Sequence, residues 1–249
     1  MTTLVTIAGK ELRLLFVSSL IWIFLAGMQL VLAWVFLGRL NTFLEIQPQL
    51  TQLANPPGVT EVIVSPVFSI ASIVLLAVTP VLSMRLFAEE RRNQTLVMLI
   101  SAPVSIPAIV LGKFLALMIF FCLIPLLIVA LSVSLLTGGT LDFGLLGSNV
   151  MGLILLASCF AALGLYISSL TAHPAVAALG SLGVLLCLWA MDIVTTGSES
   201  VVHYLSLFRH FENFNIGLID TFSLTFFLLF TTAFLVLTIR HLEGERLNG

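Results

Sequence analysis

Few residues in this chain could do chemistry, and most of them lie in apolar surroundings. Ser181 sits in Gly180-Ser181-Leu182-Gly183, with His173 upstream and His203 downstream. A serine within reach of a histidine base would make the nucleophilic pair of a hydrolase. A small residue between glycines also lets two membrane helices approach closely, and that packing role is favoured here. Asp192 is the ionisable side chain nearest the middle of an apolar run, where an acid could serve a proton relay. It falls near the end of that run, which favours interfacial solvation. Cys122, Cys159 and Cys187 all lie inside apolar runs and read as small hydrophobes. No GxxxxGK[ST] phosphate loop, HExxH or CxxC occurs. The chain is therefore expected to have no catalytic residue, no metal site and no cofactor of its own. The densest group of charges is Glu89-Glu90-Arg91-Arg92.

The elements that must carry these residues follow from composition. Of 249 residues, 59% are apolar and 9% are charged, against about 25% charged in a soluble domain. That excludes a soluble globular protein, which would lack polar surface, and a disordered one, which needs high charge. A mean hydropathy of +1.18 points to an integral membrane protein. A net charge of −2 and a pI near 6.0 give no basic footprint for nucleic acid. A hydrocarbon core about 30 Å thick needs about 20 apolar residues in a helix. Six runs qualify, at about 14–38, 62–84, 106–136, 145–168, 175–194 and 221–239. The fourth and fifth are separated at Ser168-Ser169-Leu170-Thr171-Ala172-His173-Pro174, because proline lacks a backbone N–H and turns its predecessor away from the helix. The runs do not alternate as barrel strands do, so an all-α polytopic fold in one domain is expected. The first run is about twice the length of a signal-peptide core of 7–15 residues, so it is taken as an uncleaved span.

Lys and Arg in short loops set orientation. Six spans place both termini on one side, with Lys10, Arg13, Arg85, Arg91, Arg92, Lys113, Arg240 and Arg246. Only Arg39 and Arg209 fall on the other. Both termini are thus expected in the cytoplasm. Three outer loops result, at about 39–61, 137–147 and 195–220. The third contains an apolar stretch, 201–211, which suggests an interfacial or re-entrant helix. Glu243-Gly244-Glu245-Arg246 reads as a solvated tail.

Between spans two and three, the charges end at Arg92. Leu96, Leu99 and Ile100 then recur at i, i+3 and i+4, the stripe of an amphipathic helix, and Pro103 and Pro107 stop it. On its residues alone this cytoplasmic helix is equally a surface connector or a docking element for a partner's groove. The segment resembles the cytoplasmic loop of ABC-2 type permeases, the membrane subunits of a class of ATP-binding-cassette exporters. Glu89, Glu90, Arg91, Arg92, Thr95, Leu96, Leu99, Pro103, Val104 and Ser105 fit that family's pattern, while Gln94 stands where the family often has glycine. Lys10-Glu11-Leu12 is similar to the family's interfacial helix before span one. Ser168-Ser169-Leu170-Thr171 before span five is also similar, as is His210-Phe211-Glu212-Asn213-Phe214 with Gly217 and Asp220 before span six. The gliding-motility-type permeases are the most similar branch, which does not by itself imply gliding.

The resemblance implies a permease subunit in the bacterial inner membrane. It would pair with a second permease, identical or different, and dock an ATPase that carries the ATP and Mg. Glu89, Glu90, Arg91 and Arg92 would make polar contacts with the ATPase, Thr95 would lie beside them, and Leu96 and Leu99 would make apolar ones. His210, Phe211 and Phe214 are candidates for an outer contact, with a periplasmic or membrane accessory protein as its partner. Membrane lipids surround the chain, and the chain itself is expected not to be an enzyme. An alternative of a different class is an anchoring or assembly protein that recruits a cytosolic partner without moving a substrate.

Overall fold

A computed structural model describes residues 2–50, 57–96, 104–137, 140–194 and 206–248. Among these the structure is all helix, with no strand. The helices are α1 (Thr2–Val17), α2 (Ser19–Leu50), α3 (Ser65–Ser83, entered through a π-turn at Thr60–Val64), α4 (Ala88–Arg92), α5 (Ile106–Val133), α6 (Phe143–Leu170), α7 (Pro174–Val194), α8 (Leu207–Asn215) and α9 (Thr221–Asn248). Six stretches are long and apolar enough to cross a membrane: Ile21–Gln49, Thr60–Arg92, Ile106–Leu136, Phe143–Leu170, Pro174–Met191 and Thr221–Arg246. With these six helices the chain returns to the end of the bundle at which it began. There Glu11 of α1 meets Lys113 of α5, and Glu245 of α9 meets Arg91 of α4.

The first apolar run is divided differently from its sequence expectation. The helix breaks at Ser18, and residues 14–17 belong to α1. Ala8, Glu11 and Leu15 form its buried stripe while Leu14 and Val17 face outward, so α1 is amphipathic and lies on α5. Gly112 permits this approach, since a Cβ there would fall 2.9 Å from Ile7 Cγ2. At its far end α2 runs to Leu50, through residues expected in a loop from Arg39. Leu40, Phe43 and Ile46 recur at i and i+3 and are half-buried, so the helical period outlasts the apolar run. The last helix also exceeds its expected end at 239 and continues to Asn248. Leu99, Ile100 and His203 lie outside the described residues, as does the side chain of Asp192.

Helices α3 and α6 form the centre, and α2 and α7 leave most of their apolar surface uncovered. Small residues explain why α6 can be central. A Cβ on Gly164 would come within 2.5 Å of Ser83 Oγ, and one on Gly152 within 2.5 Å of Phe214 Cβ. Ser158 and Thr231 share a hydrogen bond of 3.0 Å where α6 meets α9. Close backbone approach and paired hydroxyls are how membrane helices associate where apolar burial gives no preference over lipid. Of the stretch expected to form an interfacial or re-entrant helix, residues 201–205 lie outside the described residues and 207–211 begin α8. Its residues Leu207, His210, Phe211 and Phe214 recur at i, i+3, i+4 and i+7 and are buried. Gly217, at φ +86°, ends it: the Leu218 N–H reaches back to the Asn213 carbonyl at 2.8 Å.

Candidate functional site: a charged junction at the terminal end of the bundle

The segment from Met84 to Leu96 leaves the end of α3 and is held in place by three separate devices. The first is Ser168, fully buried near the end of α6. Its Oγ accepts from the N–H groups of Phe87 (3.3 Å) and Ala88 (3.1 Å) and donates to the Met84 carbonyl (3.3 Å). Short helices leave their first N–H groups unsatisfied, and here a hydroxyl from another helix supplies the cap. The second is Arg91. Its Nη2 donates to the Ser169 carbonyl and to both carboxylate oxygens of Glu245, each at 2.7 Å. Glu245 also lies 3.4 Å from His241 Nε2. The expected solvated tail is therefore the last turn of α9, tied to α4 by a charge-assisted bond.

The third device is the most buried. Lys113, in the second turn of α5, has a fully buried side chain. Its Nζ lies 3.0 Å from Glu11 Oε1 and 2.8 Å from Glu90 Oε1, and 5.2 Å from the centroid of Phe87. One cation thus joins α1, α4 and α5. Removing water from three charges is costly, and the cluster persists only because each charge faces its opposite. The exposed Lys10 lies 3.7 Å from the same Glu11 oxygen, so two ammoniums face the two carboxylates. Glu90 Oε2 is buried and accepts no hydrogen bond.

Beside this cluster is a cavity of about 550 Å³, lined by Lys10, Glu11, Arg85, Glu89, Glu90 and Asn93 among others. Arg85 Nη1 donates to Ser18 Oγ at 3.0 Å, which braces the elbow between α1 and α2. Glu89, Arg92, Asn93, Gln94 and Thr95 are exposed around it. Gln94 has φ 58°, the left-handed conformation that favours glycine.

The residues that stand out in the sequence divide in two. Glu89, Glu90, Arg91, Arg92 and Thr95 come together at this junction with Lys10 and Glu11, while Leu12 is half-buried on α1. Leu96 is covered by its own chain, so its apolar surface is already used. His210, Phe211 and Phe214 are at a different place, on α8, and all three point inward. His210 Nδ1 pairs with Ser223 Oγ at 2.9 Å and its ring lies 4.5 Å from that of Phe226. Their burial gives them a packing role within this chain. Ser181 donates to its own helix, at the carbonyls of Ala177 (2.8 Å) and Ala178 (3.1 Å). His173 immediately precedes the same helix, eight residues earlier and roughly 12 Å along the axis, too far to act as a base.

Two further residues matter that sequence reasoning does not bring forward. Lys113 reads as a loop cation, yet it is the one charge between Ile106 and Val133. A lone charge in an apolar helix needs a buried partner, and that is the signal available for it. Glu245 carries no such signal, because its partner is 154 positions away.

No curated protein matches the chain. Residues 5–243, from α1 to the last turns of α9, match the family described as ABC-2 family transporter protein. With six helices able to span a membrane and a match across almost its whole length, the chain belongs to the ABC-2 family of membrane transporter proteins.

Proposed function

We propose that this chain is the permease subunit of an ATP-binding-cassette exporter of the bacterial inner membrane, related to the gliding-motility-type branch, with both termini in the cytoplasm. A separate ATPase binds Mg-ATP and docks at the junction around α4. A second permease, identical or different, completes the pathway through which substrate leaves. The observation that carries this reading is the family match together with the construction of the junction. One exposed segment, Glu89 to Thr95, is coupled through Ser168, Arg91 and Lys113 to α3, α6, α9, α5 and α1. A force applied there reaches most of the bundle through bonded contacts, as rigid-body switching requires.

Leu96 is already covered, so the docking contacts fall to the exposed Glu89, Arg92, Asn93 and Thr95, with Leu99 beyond them in sequence. Exposed charge pairs each contribute little, about 0–1 kcal/mol, but reversing two charges at one interface adds repulsion as well. The test is affinity purification of the protein from native membranes beside a Glu89→Arg, Arg92→Glu variant. An ATP-binding-cassette ATPase should accompany the parent and be lost from the variant at unchanged expression. An ATPase that persists with the variant places docking elsewhere. Recruitment of a cytosolic protein without any ATPase favours the anchoring alternative.

A further inference from the structure

At the opposite end of the bundle is a second cavity, of about 750 Å³, between α2 at Arg39, the start of α3, the start of α6 and the end of α8. Its size falls within the about 300–1,000 Å³ of small-molecule sites. Its lining has an order that the junction near the termini does not share. Beside the apolar Pro66, Ile70 and Leu145, the floor carries the neutral polar Ser65, Ser69 and Asn215. These are held by Asn215 Nδ2 donating to Ser69 Oγ at 2.8 Å and by the Asn149 amide meeting Ser65 Oγ at 3.2 Å. The rim is charged with both signs, Arg39 against Glu61 and Asp142. Among the described residues, neither Arg39 nor Glu61 has an ion-pair partner within 4.0 Å. Asp142 spends Oδ1 on capping α6, at the N–H groups of Gly144 (2.8 Å) and Leu145 (3.1 Å).

Depth identifies the setting. Arg39 is eighteen residues beyond Ile21 on one helix, about 27 Å along its axis, close to the roughly 30 Å of a hydrocarbon core. Trp34 is exposed just before it, as an interfacial aromatic is. The exposed apolar Ile216 lines its edge. A cavity of mixed polar and apolar lining, about one hydrocarbon thickness along α2 from Ile21, suits an amphiphile.

We propose that this cavity binds the zwitterionic phosphoethanolamine group, presented by a lipid headgroup. The guanidinium of Arg39 matches a phosphate with a fork of N–H donors. Glu61 and the second oxygen of Asp142 accept from a primary ammonium, and the floor hydroxyls accept or donate as needed. A choline headgroup has no N–H to offer those carboxylates. A glycerol headgroup brings a net negative charge to a rim that already has two carboxylates and one guanidinium. The inference concerns the end away from the ATPase and does not depend on that partner.

The test is calorimetric titration of the full-length protein in non-ionic detergent. The probes are dihexanoyl phosphatidylethanolamine, the choline and glycerol analogues, and soluble O-phosphoethanolamine. Saturable binding of the ethanolamine lipid, tenfold or more tighter than that of the choline and glycerol lipids, is expected. Weaker binding of the soluble compound assigns the lipid as the source, and equal binding assigns a free ligand of the same chemistry. Arg39→Gln should weaken every phosphate ligand by tenfold or more, and Arg39→Lys should recover part of that loss. Glu61→Gln with Asp142→Asn, which keeps an acceptor for the cap, should abolish the preference for ethanolamine over glycerol. No saturable binding to the parent, or variants that bind as the parent does, would overturn the proposal. Retention of the ATPase by the same preparation would confine that failure to this site.

Discussion

Replacing Lys113 with Met tests whether the buried cluster holds the junction together. The ammonium is fully buried between Glu11 at 3.0 Å and Glu90 at 2.8 Å. Methionine keeps the length of the side chain and removes the charge, so Glu90 loses its cation and Glu11 keeps only the exposed Lys10, 3.7 Å away. Breaking a buried pair this way costs about 3–5 kcal/mol. Glu90 borders a cavity and keeps some solvent contact, so the lower end, about 3 kcal/mol, is expected. For a chain of this size, about 2–4 °C of melting temperature accompanies each kcal/mol, which gives a fall of roughly 6–12 °C. The assay is thermal unfolding in detergent, followed by tryptophan emission. The triple variant Lys113→Met, Glu11→Gln, Glu90→Gln removes the stranded charges and should recover most of the loss. The non-additivity of the set reports the coupling directly. A fall of less than 2 °C for the single variant, or a triple variant no more stable than the single one, would refute the reasoning.

The same geometry sets further expectations. Ser168→Ala removes the acceptor for the Phe87 and Ala88 N–H groups and should cost about 1–2 kcal/mol, with faster hydrogen exchange at those two amides than at α3 or α6. Gln94→Gly relieves a left-handed φ of 58° and should stabilise the protein by about 0.5–1 kcal/mol after the unfolded-state cost of glycine, read as a small rise in melting temperature. Ser181→Ala removes only a bond to its own helix and should leave both transport and stability unchanged; loss of activity at normal expression would revive the hydrolase reading.

Sequence reasoning reaches the bundle because length and hydropathy decide it. A run of 20 apolar residues has one solution in lipid, a helix with every backbone group paired internally. It locates the junction because Glu89 to Thr95 is adjacent in sequence and Lys10-Glu11 is a short motif. It also marks Ser168-Ser169 and the absence of glycine at Gln94, and each has a physical reason in the structure: a cap for α4 and a left-handed backbone. It does not reach the pairs Lys113–Glu90 and Arg91–Glu245, because contacts between helices distant in the chain leave no mark on periodicity. The end of α2 is misplaced for a related reason. Polarity at Arg39 ends the apolar run, whereas the half-buried Leu40, Phe43 and Ile46 continue the helical period. In α8, the amphipathic period reveals a helix but not the direction of its apolar face, which Gly152 decides by admitting Phe214.

The proposed function requires an ATPase on the exposed residues of the α4 junction. Photo-crosslinking in native membranes tests it without purification. A photoreactive amino acid is placed at Glu89 or Thr95, and in a parallel strain at Glu61 on the opposite end. Adducts containing an ATP-binding-cassette ATPase should form from positions 89 and 95 and not from 61. ATPase adducts from position 61 alone, or none from 89 and 95 when the ATPase is present in the membrane, would contradict the account.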